Sequence, residues 1–199
     1  KKLYNLVNND ELKDRLLTSD VKRVTLSFYQ YHNIEDPEAF RNQFYLGLSE
    51  HGVFGRIYVA NEGINGQISV PKETFEAFKA YLYSIDWLRD IRLNIAIDDD
   101  GKSFYKLKIK VRKKIVADGL DDASFDVTKR GKHLSAAEVN NLLGADDTVV
   151  VDMRNHYESE VGYFENAICP DVETFREALP LVEEMLDDKK GDHIVMYCT

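Results

Sequence analysis

Phe54-Gly55-Arg56-Ile57-Tyr58-Val59-Ala60-Asn61-Glu62-Gly63-Ile64-Asn65-Gly66-Gln67-Ile68-Ser69-Val70 is the stretch whose reading decides the fold. Phe54 to Ala60 reads as a strand, Asn65-Gly66 is a strong turn dipeptide, and Gln67 to Val70 is the returning strand, so the segment predicts a β-hairpin. Toward the N-terminus, Arg23 to Tyr31 puts Val24, Leu26 and Phe28 on one face of another strand. Between them, Asp36-Pro37-Glu38 opens a helix with a capping carboxylate and a proline at its first position. That helix is expected to run to about Glu50 and to stop at His51-Gly52. On the other side, Pro71 to Ile85 carries Phe75, Phe78, Leu82 and Ile85 at helical spacing, and Ile91 to Ile97 alternates as a fourth strand.

The order β-α-β-β-α-β is the split βαβ arrangement of ferredoxin-like and acylphosphatase-like domains, which host many activities and so say little about function. The chain has 199 residues, enough for one or two domains of ~100 residues. At 44% apolar and 31% charged it has the composition of a folded, soluble protein. No apolar run approaches the ~20 residues that cross a bilayer, and Lys1-Lys2-Leu3-Tyr4-Asn5 lacks the apolar core of a secretion signal, so a cytoplasmic protein with no membrane partner is expected. Two cysteines do not make a disulfide framework, and Cys169 and Cys198 read as reduced thiols, although a pairing between them stays open. The histidines are scattered without metal-ligand spacing, so no metal site is assigned. Asp98-Asp99-Asp100-Gly101 has the start of a calcium loop but Ile109 at its twelfth position, and the bland reading, a hairpin turn, is preferred.

A net charge of -9 argues against general attraction to nucleic acid, and DNA is not expected as a partner. A local basic stripe still acts within a Debye length of about 8 Å. Lys106-Leu107-Lys108-Ile109-Lys110-Val111-Arg112 is such a stripe. On a strand, Leu107, Ile109 and Val111 point inward while Lys106, Lys108, Lys110 and Arg112 form a basic row able to follow a phosphate backbone. The competing reading is that the lysines solubilise an edge strand and block unwanted pairing. Residues 1–20 form an N-terminal segment, and the first domain spans 21–117.

Residues 118–131, rich in Asp and Gly, read as a linker to a second domain over 132–199. Ser135-Ala136-Ala137-Glu138 is a capping box opening a short helix through Leu143, and Thr148 to Asp152 is a strand. Asp171 is expected to cap a longer helix with Val172, Phe175, Leu179, Val182 and Leu186 facing a core. His193 to Tyr197 reads as a buried strand that delivers Cys198 to its C-terminal end. Strands alternating with helices predict a parallel sheet, in which ligand groups collect at the strands' C-terminal ends, where Asp152 and Cys198 both fall.

Asp152-Met153-Arg154-Asn155-His156-Tyr157-Glu158-Ser159-Glu160-Val161-Gly162-Tyr163-Phe164-Glu165-Asn166-Ala167 resembles the D-x-R-x3-E-x3-G-H-I-x-G-A signature of rhodanese domains. Tyr163 and Phe164 stand where that family prefers His-Ile, and Asn166 replaces a glycine. The strand ending in Cys198 resembles the family's active-site approach, which implies a cysteine that carries a persulfide, followed by a loop whose amides hold anionic sulfur. The second domain is thus expected to be a partial rhodanese-like α/β domain. Together with Asn61-Glu62-Gly63-Ile64-Asn65-Gly66, Leu93 to Phe104, Lys110-Val111-Arg112 and Ile115-Val116-Ala117-Asp118-Gly119, the whole chain resembles the bacterial rhodanese-containing tRNA uridine hydroxylases. That resemblance implies oxygen-dependent formation of 5-hydroxyuridine at the tRNA wobble position, with tRNA as partner and molecular oxygen as co-substrate. It also implies a required cysteine at 198. No metal or flavin motif is recognisable.

A thiolate is the reactive form of cysteine, and amides or cations nearby favour it. The loop that would supply them at Cys198 lies past Thr199, so residues 1–199 alone are expected to be inactive. A small apolar residue closing a strand is the plain alternative for Cys198. Cys169, before Pro170, reads as a bystander more than as a resolving thiol. Arg154 and Glu158, four apart, are expected to pair across a turn; Arg154 facing substrate phosphate is the sharper alternative, and Asp152 is a candidate acceptor for loop amides. His156 reads as a surface side chain. Three functional classes remain: an RNA-modifying enzyme, a thiosulfate-type sulfurtransferase, and a non-catalytic RNA- or protein-binding module. The oligomeric state is left open.

Overall fold

The structure, a computed structural model, describes residues 3–4, 7–97, 99–115 and 131–198. It divides into two compact units, residues 1–116 and 117–199. The expected linker at 118–131 lies outside the described residues apart from Gly131. Among the described residues no helix is long and apolar enough to cross a membrane.

The first unit runs α1 (Asn9–Leu17), β1 (Arg23–Tyr31), α2 (Pro37–Glu50), β2 (Phe54–Ala60), β3 (Gly63–Pro71), α3 (Phe75–Tyr83), β4 (Asn94–Ile95) and β5 (Leu107–Val111). The strands form one sheet in the order β4-β1-β3-β2-β5, antiparallel except for the parallel pair β2-β5. This is the expected acylphosphatase-like core with the basic strand β5 added beside β2. Asp36 caps α2, its side chain accepting from the Ala39 amide at 3.0 Å, with Pro37 first in the helix. Helices α2 and α3 press Phe44, Leu48, Phe78 and Leu82 onto Leu26, Phe28, Ile57, Ile64 and Ile68, all buried, on one face of the sheet. Burying each such side chain contributes about 1.5–3 kcal/mol before chain entropy is counted.

The hairpin turn falls elsewhere than expected. Asn61-Glu62 form the turn, Ala60 pairs with Gly63, and Asn65-Gly66 lie inside β3. Gly66 serves packing, because a Cβ there would lie 2.6 Å from Cζ of the buried Phe28 ring. Gly63, at φ 143°, is the position that needs glycine for the turn, since a side chain would run into the Gln30 carbonyl. The fourth strand is also shorter than Ile91–Ile97. Only Asn94–Ile95 pair with β1, and Ile97 is 96% exposed, so the alternation at this sheet edge buries nothing. The N-terminal segment contains the unforeseen α1, whose cap Asn8 accepts from the Asp10 amide at 3.1 Å.

The second unit comprises α4 (Ala136–Leu142), β6 (Thr148–Asp152), α5 (His156–Ser159), α6 (Phe175–Met185) and β7 (His193–Tyr197). The Ser135/Glu138 capping box opens α4 as expected. β6 and β7 are parallel, and Ile168 forms a parallel bridge to Val151, flanking β6 opposite β7. Val151, Met153, Ala178, Val182 and Leu186 make the core. Two expectations are corrected. Thr174, not Asp171, caps α6, because Thr174 and Glu177 close a reciprocal capping box. β7 is not a buried strand: Val195 alone is buried, while Ile194 and Met196 on its other face are 39% and 52% exposed.

Candidate functional site

Parallel pairing sets the ends of β6 and β7 side by side, Asp152 opposite Tyr197. Asp152 is 1% exposed and is saturated with donors. Its carboxylate accepts from the Arg154 amide at 3.0 Å, from Arg154 Nε at 2.9 Å and Nη2 at 2.6 Å, and from Tyr197 Oη at 2.7 Å. Burial works against the charged carboxylate, but these donors outweigh it and hold the acid below its ordinary value. The same pair pushes the Arg154 guanidinium up, so both groups stay charged. Burial and the Asp152 hydrogen bond push the Tyr197 phenol up, keeping it a donor.

Arg154 Nη2 also donates to the Gly162 carbonyl at 2.6 Å, tying the corner after β6 to the segment after α5. The Phe164 ring meets Tyr197 edge-on at 4.9 Å, and the Phe164 amide donates to Tyr197 Oη at 3.3 Å. These groups wall an open pocket of about 370 Å³ lined by Arg154, Gly162, Tyr163, Phe164, Tyr197 and Cys198. Cys198 follows β7, exposed, with Sγ 3.8 Å from the Met153 carbonyl.

The structure therefore brings together Asp152, Arg154 and Cys198, but not Arg154 and Glu158. The i,i+4 pairing rule needs helical backbone, and Arg154 precedes α5, so its guanidinium folds back onto Asp152. Glu158 instead accepts from the Asn155 amide at 3.3 Å and closes the start of α5. His156 is a half-exposed side chain between Glu160 Oε1 at 3.3 Å and Asp171 Oδ1 at 3.2 Å. Cys169 follows the bridging Ile168, is partly buried and is a free thiol like Cys198; burial, then the Asp152 charge, push it up. Tyr197 is the site member that sequence reasoning missed. Its signal was its place on the strand directly before the cysteine and opposite Asp152.

The four basic-row residues lie on or beside β5. Lys106 donates to Asn9 Oδ1 at 2.6 Å and covers Tyr105, so it is engaged within the chain. Arg112 lies over the Tyr58 ring at 5.6 Å, and Lys108 and Lys110 make no ion pair among the described residues.

An acylphosphatase-like domain followed by a parallel-strand unit that presents a thiol near an Asp-Arg pair defines a two-unit α/β protein. Residues 23–115 match the family of the UPF0176 acylphosphatase like domain. Over 99% of its length the chain is 57% identical to a protein of Photorhabdus laumondii named tRNA uridine(34) hydroxylase, 54% to one of Pectobacterium carotovorum and 52% to one of Escherichia coli, each of the same name. Residues 23–115 are thus similar to that domain family, and the chain as a whole is similar to proteins named tRNA uridine(34) hydroxylase. The chain spans about half the length of these relatives, 56% of the first two.

Proposed function

We propose that the protein is a tRNA-modifying enzyme of the cytoplasm that hydroxylates the wobble uridine to 5-hydroxyuridine, with molecular oxygen as co-substrate and Cys198 as the thiol of a rhodanese-type site. The observation that carries this reading is the 57% identity, across 99% of the chain, to a protein named for acting on that uridine. The geometry is compatible with it. An exposed sulfur at a strand end borders an open pocket whose rim holds the guanidinium of Arg154, positioned by Asp152, while Glu158 stabilises the corner that follows. Lys108, Lys110 and Arg112 supply a row of positive charge for the tRNA backbone, as does Lys106 once released from Asn9.

The test is mass spectrometry of tRNA nucleosides from cells lacking the gene, complemented with the wild-type gene or with Cys198→Ala. The expected result is loss of 5-hydroxyuridine-derived nucleosides in the deletion, recovery with wild type and no recovery with the variant. Unchanged nucleosides in the deletion overturn the reading. Thiosulfate turnover by the purified protein in that case favours a sulfurtransferase instead, and neither activity leaves a binding module.

A further inference from the structure

Only one face of the first unit's sheet is covered by α2 and α3. On the opposite face, the strand register builds a lattice. Tyr29, Asn65, Tyr58 and Lys110 form one row across β1, β3, β2 and β5. Ser27, Gln67, Arg56 and Lys108 form the next. Arg112 continues the row of β5, and its guanidinium lies over Tyr58. Tyr29 is 47% exposed, and Arg56, Gln67, Lys108 and Arg112 are exposed.

Two features set this face apart from a merely solvated one. The first is charge: the chain carries -9 overall, yet every ionisable side chain at an outward position of these four strands is a cation or a tyrosine. Of the carboxylates near it, Asp99 accepts from Thr25 Oγ1 and Glu62 accepts from the Ile115 amide. The second is position. Lysines on the edge strand β5 have an ordinary explanation in blocking edge pairing. Arg56 and Tyr58 do not, because β2 is interior, between β3 and β5.

We infer that this face binds a single-stranded segment of RNA, with one base stacked on Tyr29, another on the exposed Arg112 guanidinium that the half-buried Tyr58 ring supports, and phosphates along Arg56, Lys108 and Lys110. The two tyrosines stand two strand spacings apart, about 10 Å, with the amide groups of Asn65 and Gln67 between and beside them to meet base edges. Asn65 Nδ2 donates to the Ile115 carbonyl at 3.2 Å, which leaves its side-chain oxygen, an acceptor, for a base edge. Unpaired bases can lie flat on a sheet in this way, whereas a duplex keeps its bases stacked on one another and offers Tyr29 and Arg112 nothing. The inference deepens the reading of the chain as tRNA-modifying and assigns to this face the capture of an unpaired loop.

The test is fluorescence anisotropy with a labelled, unstructured RNA oligonucleotide, a blunt RNA duplex and a single-stranded DNA of the same sequence, using the whole chain. Wild type is expected to bind the single-stranded RNA more tightly than the duplex. Tyr29→Ala and Tyr58→Ala are each expected to weaken binding about ten-fold, the scale of one lost base-stacking contact. Tyr29→Phe and Tyr58→Phe keep the ring and are expected to stay near wild type, which separates stacking from a folding defect, as do unchanged melting temperatures. Preference for the duplex, tighter binding of the DNA, no binding of the oligonucleotide, or alanine variants indistinguishable from wild type overturns the inference. If those results come with gene-dependent 5-hydroxyuridine in cells, this face is wrong and the functional reading stands. Tyrosine-dependent binding without gene-dependent nucleosides is the reverse.

Discussion

At the scale of single residues, the second unit turns on one buried acid. Arg154→Ala leaves Asp152, 1% exposed, with only an amide and a phenol as donors, and a buried carboxylate stripped of its cation destabilises the fold. The sign with pH follows. The folded carboxyl is held below its ordinary 3.8, so the stability it contributes is complete above that value and disappears as pH falls through the lower folded one. The gap between wild type and Arg154→Ala, measured as urea unfolding free energy, is therefore expected to be largest at neutral pH and to narrow as pH falls below the ordinary carboxyl value of 3.8. A gap that does not move with pH assigns the loss to packing of the arginine stem. The cysteines divide in the same way. Cys198 is exposed, while Cys169 is partly shielded and faces the negative Asp152. Brief iodoacetamide treatment near neutral pH, read by peptide mass spectrometry, is expected to label Cys198 first; equal labelling contradicts the placement of Cys169.

Among the elements, what was legible in the sequence was whatever periodicity and capping chemistry control. β1, α2, β2 and the body of α3 follow their apolar spacing, and Asp36-Pro37 and Ser135-x-x-Glu138 mark helix starts by hydrogen bonds that need no tertiary partner. What escaped depends on contacts distant in sequence. Asn65-Gly66 has the composition of a turn, yet Gly66 is there because Phe28, across the sheet, occupies the space of its side chain. Asn166 occupies the signature glycine's place because its backbone, at φ 62°, is in the left-handed region that asparagine tolerates better than most residues. At the site, the two strand ends were legible, but the partner of Arg154 was not, since the corner between β6 and α5 is neither strand nor helix. Gly66→Ala tests the packing account. The added methyl must push the fully packed Phe28 ring, and overpacking of this kind costs about 1–3 kcal/mol. The cost is expected to fall sharply in the double variant Gly66→Ala/Phe28→Leu, where the ring is absent. Chemical denaturation of the four proteins measures it, and additive losses contradict the contact.

For the whole molecule, the central physical problem is how an acidic chain holds a polyanion. At a net charge of -9, association has to be confined to one face and shielded from the rest by salt, since charges farther apart than about 8 Å are screened at physiological ionic strength. Binding of phosphates through Arg56, Lys108 and Lys110 then has a bounded salt dependence. Each phosphate contact on a single strand contributes about 0.7 to the slope of log affinity against log salt, so three contacts give about 2. Lys108→Glu with Lys110→Glu removes two of them and is expected to lower the slope by more than 1 while leaving the melting temperature near wild type, because neither lysine has an ion pair to lose among the described residues. Reversing Lys79, which is paired to Glu76 on α3 and so belongs to the opposite face, is expected to leave the slope unchanged. If reversing Lys79 alone shifts the slope by half as much as the double reversal, the RNA is responding to total charge and not to the β5 face. A slope that falls only with the β5 pair places the phosphates beside Arg56 and Tyr58, where the interior strand β2 presents a cation and a ring that edge protection does not explain.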